Sequence, residues 1–174
     1  MLFCTVAGIA HGQAPDQYTF PSRRKLIADS CPSVKLLMFE FGNSRYENAD
    51  HHQAGFTWQN KTKQDVVAVE IVVLRYDPFN RPMIGERTTF AGKMDPKKDP
   101  LKPNEKETDG TDELGFDDTF TGIAYVSSVR FADGTVWMAD QDDVAKKVKA
   151  LVPEIAILGK LYPDASRPMK LMIG

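Results

Sequence analysis

The chain has little of what would name a chemistry. Two cysteines (Cys4 and Cys31) and three histidines in 174 residues exclude a disulfide framework and a multi-cysteine zinc site. No phosphate-binding loop, GxGxxG, HExxH, GxSxG or CxxC motif is present, so the local signatures of nucleotide folds, zinc proteases, α/β-hydrolases and dithiol redox centres are missing. Charge of one sign is scarce too. Twenty-two Lys and Arg stand against 24 Asp and Glu, for a formal net charge of −2, whereas a general nucleic-acid binder carries a strong basic excess. No apolar run approaches the ~20 residues that a membrane-spanning helix requires. What is present is ordinary for a soluble globular chain of one domain: 42% hydrophobic and 26% charged residues, enough to bury a core.

The N-terminus reads as a processing segment. Leu2 to Ala10 is uncharged and mostly apolar, about half a bilayer span in length. His11-Gly12-Gln13-Ala14 breaks the run and sets small residues, Gly12 and Ala14, at the −3 and −1 places before Pro15. Residues 1–14 are therefore expected to be a secretory signal peptide, although no Lys or Arg precedes the apolar run and Pro15 is a poor residue after a cut. A buried first strand is the competing expectation. Removal of residues 1–14 would leave Cys31 as the single thiol, buried or inert rather than paired.

The rest reads as mainly β: an immunoglobulin-like antiparallel β-sandwich with a C-terminal α-helix. Residues 15–32, with three prolines and the basic triplet Arg23-Arg24-Lys25, read as a polar leader, and residues 33–139 as the sandwich. Val34–Phe41 is a strand stopped by Gly42-Asn43, and Phe56–Gln59 alternates apolar and polar residues as a half-buried strand does. Val66–Tyr76, rich in Val and Ile, is expected to be the strongest strand, with Val67, Val69, Ile71 and Val73 facing the core. Pro78 and Pro82 end it in a turn. Thr88–Ala91 is a short strand, and residues 92–118 are expected to be a long polar connection. Thr119–Phe131 returns to strand, with Ile123, Tyr125, Val129 and Phe131 sharing a face. Asp133-Gly134 then makes a tight hairpin into Val136–Met138. Asp140 caps a helix over residues 140–152, whose stripe of Val144, Val148 and Leu151 docks on the sandwich and whose end is marked by Pro153. Residues 153–174 form a tail, with Ile155–Leu158 one more strand or a docked segment.

Three motifs in this layout resemble a known family. Trp58-Gln59-Asn60 leads through a polar turn into Asp65–Ile71, which closes in Tyr76-Asp77, and Leu101-Lys102-Pro103-Asn104-Glu105 follows. This resembles the bacterial extracytoplasmic Ig-like domains named FxLYD, where a Leu-x-Pro-Gly-Glu segment lies after the Tyr-Asp strand. Asn104 stands at the family's Gly, and Val73 and Arg75 stand at its Phe and Leu. The matched region is roughly residues 55–131. The resemblance implies an Ig-like sandwich and an extracytoplasmic location, and it carries over no catalytic residue.

Few residues offer chemistry. His51 and His52, beside Asp50, are adjacent and would point to opposite sides of a strand. Glu107, Asp109, Asp112, Glu113, Asp117 and Asp118 crowd a dozen residues without Lys or Arg. They read either as a weak calcium cluster, with Asp109, Asp112, Glu113, Asp117 and Asp118 as ligands, or as a solvated loop; the spacing matches no EF-hand. Trp58, Tyr76, Tyr125 and Trp137 read as core. Phe79 differs, because it sits between prolines in a turn beside Arg81, and an exposed aromatic next to Arg is the composition of an interaction hot spot. The expected role is an exported, non-catalytic binding or accessory module of the bacterial cell envelope. It would contact a protein partner through Phe79 and Arg81, without nucleic acid and without a transmembrane segment in the mature chain. The alternative is a metal-dependent protein or enzyme built from His51, His52 and the acidic 107–118 loop. No cofactor is expected beyond calcium there.

Overall fold

A computed structural model describes residues 23–43, 52–91, 99–111 and 118–155. Residues 1–14, expected to be a signal peptide, His51, residues 112–117 and the residues beyond Ile155 lie outside them. Among the described residues the chain forms eight strands and one helix. In order these are β1 (Arg24–Ile27), β2 (Val34–Asn43), β3 (His52–Asn60), β4 (Val66–Tyr76), β5 (Glu86–Ala91), β6 (Lys106–Thr111), β7 (Thr121–Phe131), β8 (Val136–Met138) and α1 (Gln141–Leu151).

The strands lie in two sheets. One has the order β2-β3-β6; the other runs β1-β7-β4-β5, with β8 also on β7. Hairpins β2–β3, β4–β5 and β7–β8 each stay within a sheet, and the chain crosses between sheets after β1, β3, β5 and β6. This is immunoglobulin connectivity, with β2, β3 and β6 in the places of strands A, B and E, and β4, β5, β7 and β8 in those of C, C′, F and G. The chain is a mainly β sandwich with a C-terminal helix.

Two features depart from the sequence expectation. The polar leader contributes β1, which pairs parallel to β7 from Arg24 opposite Thr121 to Ile27 opposite Ala124. Because β4 occupies one edge of β7 throughout, β1 and the three-residue β8 divide the other edge between them. The expected polar connection 92–118 contains β6, which pairs with β3 from Gln59 opposite Lys106 to Ala54 opposite Thr111. Its sequence, KETDGT, carries no apolar alternation, because β6 is an edge strand held by backbone pairing rather than by burial of large side chains.

Three bulges decide which residues are inside. Val67 is the extra residue on β4, so Val66 joins Val69, Ile71 and Val73 between the sheets, while Val67 is buried outside that cluster. Ser127 is the extra residue on β7, and it splits the face expected from alternation. Ala124, Val126, Val129 and Phe131 turn toward the sandwich interior, while Ile123 and Tyr125 turn the other way. Leu37 is the extra residue on β2, where register shifts between Leu36 and Met38. One added residue reverses every side chain beyond it on a period-two strand.

The larger sheet is consequently buried on both faces. Between the sheets lie Phe39, Phe41, Phe56, Trp58, Ile71, Val126 and Val129. Phe39 stacks on Phe56 at 5.5 Å between ring centroids, and Phe90 sits 4.7 Å from Trp58. On the opposite face α1 lays Val144 and Val148, followed by Val152 and Ile155, over Val72, Leu74, Tyr76, Ile123 and Tyr125. The helix begins where expected: Asp140 accepts hydrogen bonds from the amides of Asp142 and Asp143, and these acids and Lys149 complement the helix dipole. Its stripe ends on Val152, which is fully buried, and not on Leu151, which is 40% exposed; Val152 is the C-cap, where the chain leaves the helix at φ −143° while its amide still donates to the Val148 carbonyl.

Candidate interaction site

The β4–β5 hairpin is closed by a loop whose geometry follows from one carboxylate. Asp77 Oδ1 accepts hydrogen bonds from the amides of Phe79 and Arg81 at 2.8 and 2.9 Å, and its Oδ2 accepts one from Arg81 Nε at 2.6 Å. The Asp77 amide donates to the Arg81 carbonyl, and the Asn80 amide donates to the Asp77 carbonyl. Asn80 takes φ +59°, a left-handed conformation that Asn tolerates better than most residues. Pro78 and Pro82 fix φ on either side. Partial burial would raise the Asp77 pKa, but the bonds from Arg81 and Phe79 and the charge of Arg81 outweigh it and hold the carboxyl below its ordinary value.

This framework presents Phe79 to solvent at 76% exposure, with the Arg81 guanidinium carbon 5.0 Å from its ring centroid. Ile84, in the same loop, is 82% exposed. Sequence reasoning reached Phe79 and Arg81 but passed over Ile84, whose signal was its place just past Pro82 and before the strand begins. Below the loop, the Met83 amide donates to the Arg75 carbonyl. Arg75, itself buried, donates through Nε to Thr119 Oγ1 and through Nη1 to Glu86 Oε1, each at 2.9 Å. Burial pushes the Glu86 carboxyl up, with the Arg75 charge opposing.

The other expected residues fall differently. Trp58, Tyr76 and Tyr125 are core, and Trp137 packs partly buried against it. Of the expected calcium ligands, Asp109 lies on β6 opposite Phe56, and Asp118 is an exposed turn residue; Asp112, Glu113 and Asp117 are outside the described residues. The acidic run is therefore split, with Glu107 and Asp109 on an edge strand and Asp118 in the turn that leads to β7. His52 begins β3, opposite Asn43, while His51 is outside the described residues. Among the described residues, no three of His, Cys, Asp and Glu are grouped to hold a metal ion. Cys31 is buried, its Sγ accepts from the Val34 amide, and burial pushes the thiol pKa up, away from the reactive thiolate. No helix among the described residues is long and apolar enough to cross a membrane.

A second polar arrangement joins the turn after β3 to the segment before β6. Asn60 is fully buried. It donates through Nδ2 to the carbonyls of Gln64 and Leu101, and its Oδ1 accepts from the Thr62 amide and hydroxyl. Leu101 exchanges both backbone bonds with Val66, the Asn104 amide donates to the Asn60 carbonyl, and the Lys102 amide donates to Glu105. Asn104 adopts φ +64°, the conformation that Gly takes most readily.

Fold and loop together define an immunoglobulin-type sandwich that displays an aromatic and a cation from one hairpin. No family model matches the chain, and no curated protein does. Among solved structures, a hypothetical protein from Peptoclostridium difficile 630 is similar with a TM-score of 0.50 at 10% identity, over 67% of this chain and 91% of that one. A Northeast Structural Genomics Consortium target aligns with a TM-score of 0.34 at 15% identity, over 62% of this chain and 80% of that one. The first likeness bears on fold alone, and the second carries no argument.

Proposed function

We propose that the chain is an exported, non-catalytic binding or accessory module of a bacterial cell envelope that contacts a protein partner through the β4–β5 loop. The observation that carries this is Phe79, displayed at 76% exposure on a loop that Asp77 holds with three hydrogen bonds. A large exposed aromatic on an ordered loop loses little conformational freedom on docking, which is what an interface anchor requires. Export is supported by the apolar segment Leu2–Ala10 and its small-residue boundary. The convergence of Asn60, Leu101, Asn104 and Glu105 supports kinship with the FxLYD domains, because these residues form one turn-and-bridge unit.

The test is a photo-reactive phenylalanine analogue placed at position 79 of the full chain in its host, with Lys146 on the exposed helix face as the control position. A discrete adduct from position 79 and none from position 146 is expected. Adducts at neither position, or equally at both, would remove the proposal. Sequencing the N-terminus of the same purified chain should begin at Pro15; an intact Met1 in the envelope fraction would remove the export half.

A further inference from the structure

We infer that Arg81 is a carboxylate receptor and that the partner of this loop offers an acidic side chain beside an apolar recess. The inference rests on the binding role proposed for the loop and supplies the chemistry of what it binds.

Arg81 is engaged asymmetrically. Its Nε–H is taken by Asp77 Oδ2 at 2.6 Å, and its planar guanidinium stands over the Phe79 ring at 5.0 Å. Nε and the ring together fix the plane and direction of the group. Its two terminal nitrogens make no bond to a described residue, and the side chain is 71% exposed. An Arg whose Nε is satisfied and whose Nη edge is free presents parallel N–H donors to one planar oxyanion, in the two-point geometry that carboxylates accept. Asp77 uses one oxygen for the guanidinium and the other for the loop amides, so it neutralises part of the charge while leaving the outward donors in place.

Phe79 and Ile84 add two large apolar side chains from the same loop. A ligand that satisfied Arg81 alone would leave them in water, so the fitting partner carries a carboxylate next to apolar groups. An anionic lipid surface fits less well. Adsorption to it gains about 1 kcal/mol per basic residue and calls for a cluster of several. Residues 77–85 contain one cation, Arg81, and it is directionally fixed.

The experiment follows the Arg81 Nε and Nη resonances and the Phe79 ring resonances of the purified full chain by NMR. Two probe peptides are titrated in, acetyl-Leu-Glu-Leu-Glu-Leu-amide and its Gln-for-Glu counterpart, and a third arm uses vesicles of phosphatidylcholine with one quarter phosphatidylglycerol. The Glu peptide should shift both sets of resonances, with the Gln peptide at least ten-fold weaker. Arg81→Lys, which keeps the charge but not the fork, should weaken the Glu peptide about ten-fold, with an unchanged thermal midpoint. Equal responses to the two peptides, no response to either, or unaltered binding by Arg81→Lys would each overturn the inference. So would vesicle binding that depends on Phe79 and Arg81 without a peptide response. A specific adduct from position 79 alongside any of these would leave the binding role intact and discard only the carboxylate.

Discussion

Asp77 does the structural work that lets Phe79 remain in water. Its bonds fix the backbone on both sides of Asn80, and on that framework the ring stands outward beside Arg81. Phe79→Ala should therefore change stability by no more than about 0.5 kcal/mol, as substitutions at exposed positions do, while abolishing the partner contact. Chemical denaturation together with the position-79 crosslink, moved to Ile84 for this variant, reads both effects. The loop should also respond to acid in a defined direction. The folded-state pKa of Asp77 is depressed, so its ordering contribution is present above the unfolded carboxyl value of about 3.9 and is lost as pH falls through the lower folded value. The amide resonances of Phe79 and Arg81 should titrate together with the Asp77 carboxyl carbon, at an apparent pKa below about 3.9. A midpoint at or above that value would show that the bonds do not form in solution.

The elements are held by a few positions where only one residue shape fits. Gly122 on β7 lies under two rings: a Cβ there would stand 2.7 Å from Phe41 Cε1 and 3.0 Å from Phe39 Cε1. Gly122→Ala should destabilise the sandwich by about 1–3 kcal/mol, seen as a lower denaturation midpoint at unchanged slope. Asn104 sits at φ +64° in the turn that returns the chain to Asn60. Asn104→Gly should be neutral to within a few tenths of a kcal/mol, whereas Asn104→Ala should cost about 1 kcal/mol. Equal effects from the two substitutions would show that the side chain, and not the backbone, matters there. Strand identity was legible wherever Val, Ile and aromatic residues ran together, as in β4. It was illegible in β1 and β6, where backbone pairing on a sheet edge holds a polar segment without an apolar face to mark it. Alternation also misassigned faces on β4 and β7, because Val67 and Ser127 are bulge residues. Ser127 Oγ bonds the Glu70 carbonyl at 3.2 Å and its carboxylate at 2.5 Å, a cross-strand fit that no single strand displays.

At the scale of the molecule, the larger sheet is shared between two cores, and α1 closes the second. Val144 and Val148 are fully buried against Val72, Leu74, Ile123 and Tyr125. Val148→Ala removes two methyl groups from this packing and should cost about 2 kcal/mol of stability, the transfer of those groups plus the cavity they leave. The loss should appear as a single cooperative transition if helix and sandwich form one unit, and as a separate early transition if the helix undocks first. The candidate site divides between sequence and fold in the same way. Phe79 and Arg81 stood out by composition and by the flanking prolines, but that Asp77 would couple them, that Ile84 would join them, and that Arg81 would keep its terminal donors free required the closed loop. The sequence by itself determined the fold class, the long central strand, the Asp133-Gly134 hairpin and the capped helix, since each rests on local propensity, turn chemistry or the periodicity of one segment. Only the tertiary structure decided the sheet order, the parallel seating of β1, the strand inside the acidic stretch and the side chains that face each core. These depend on which strand lies beside which and on where one extra residue shifts the register, and such pairings join residues far apart in the chain.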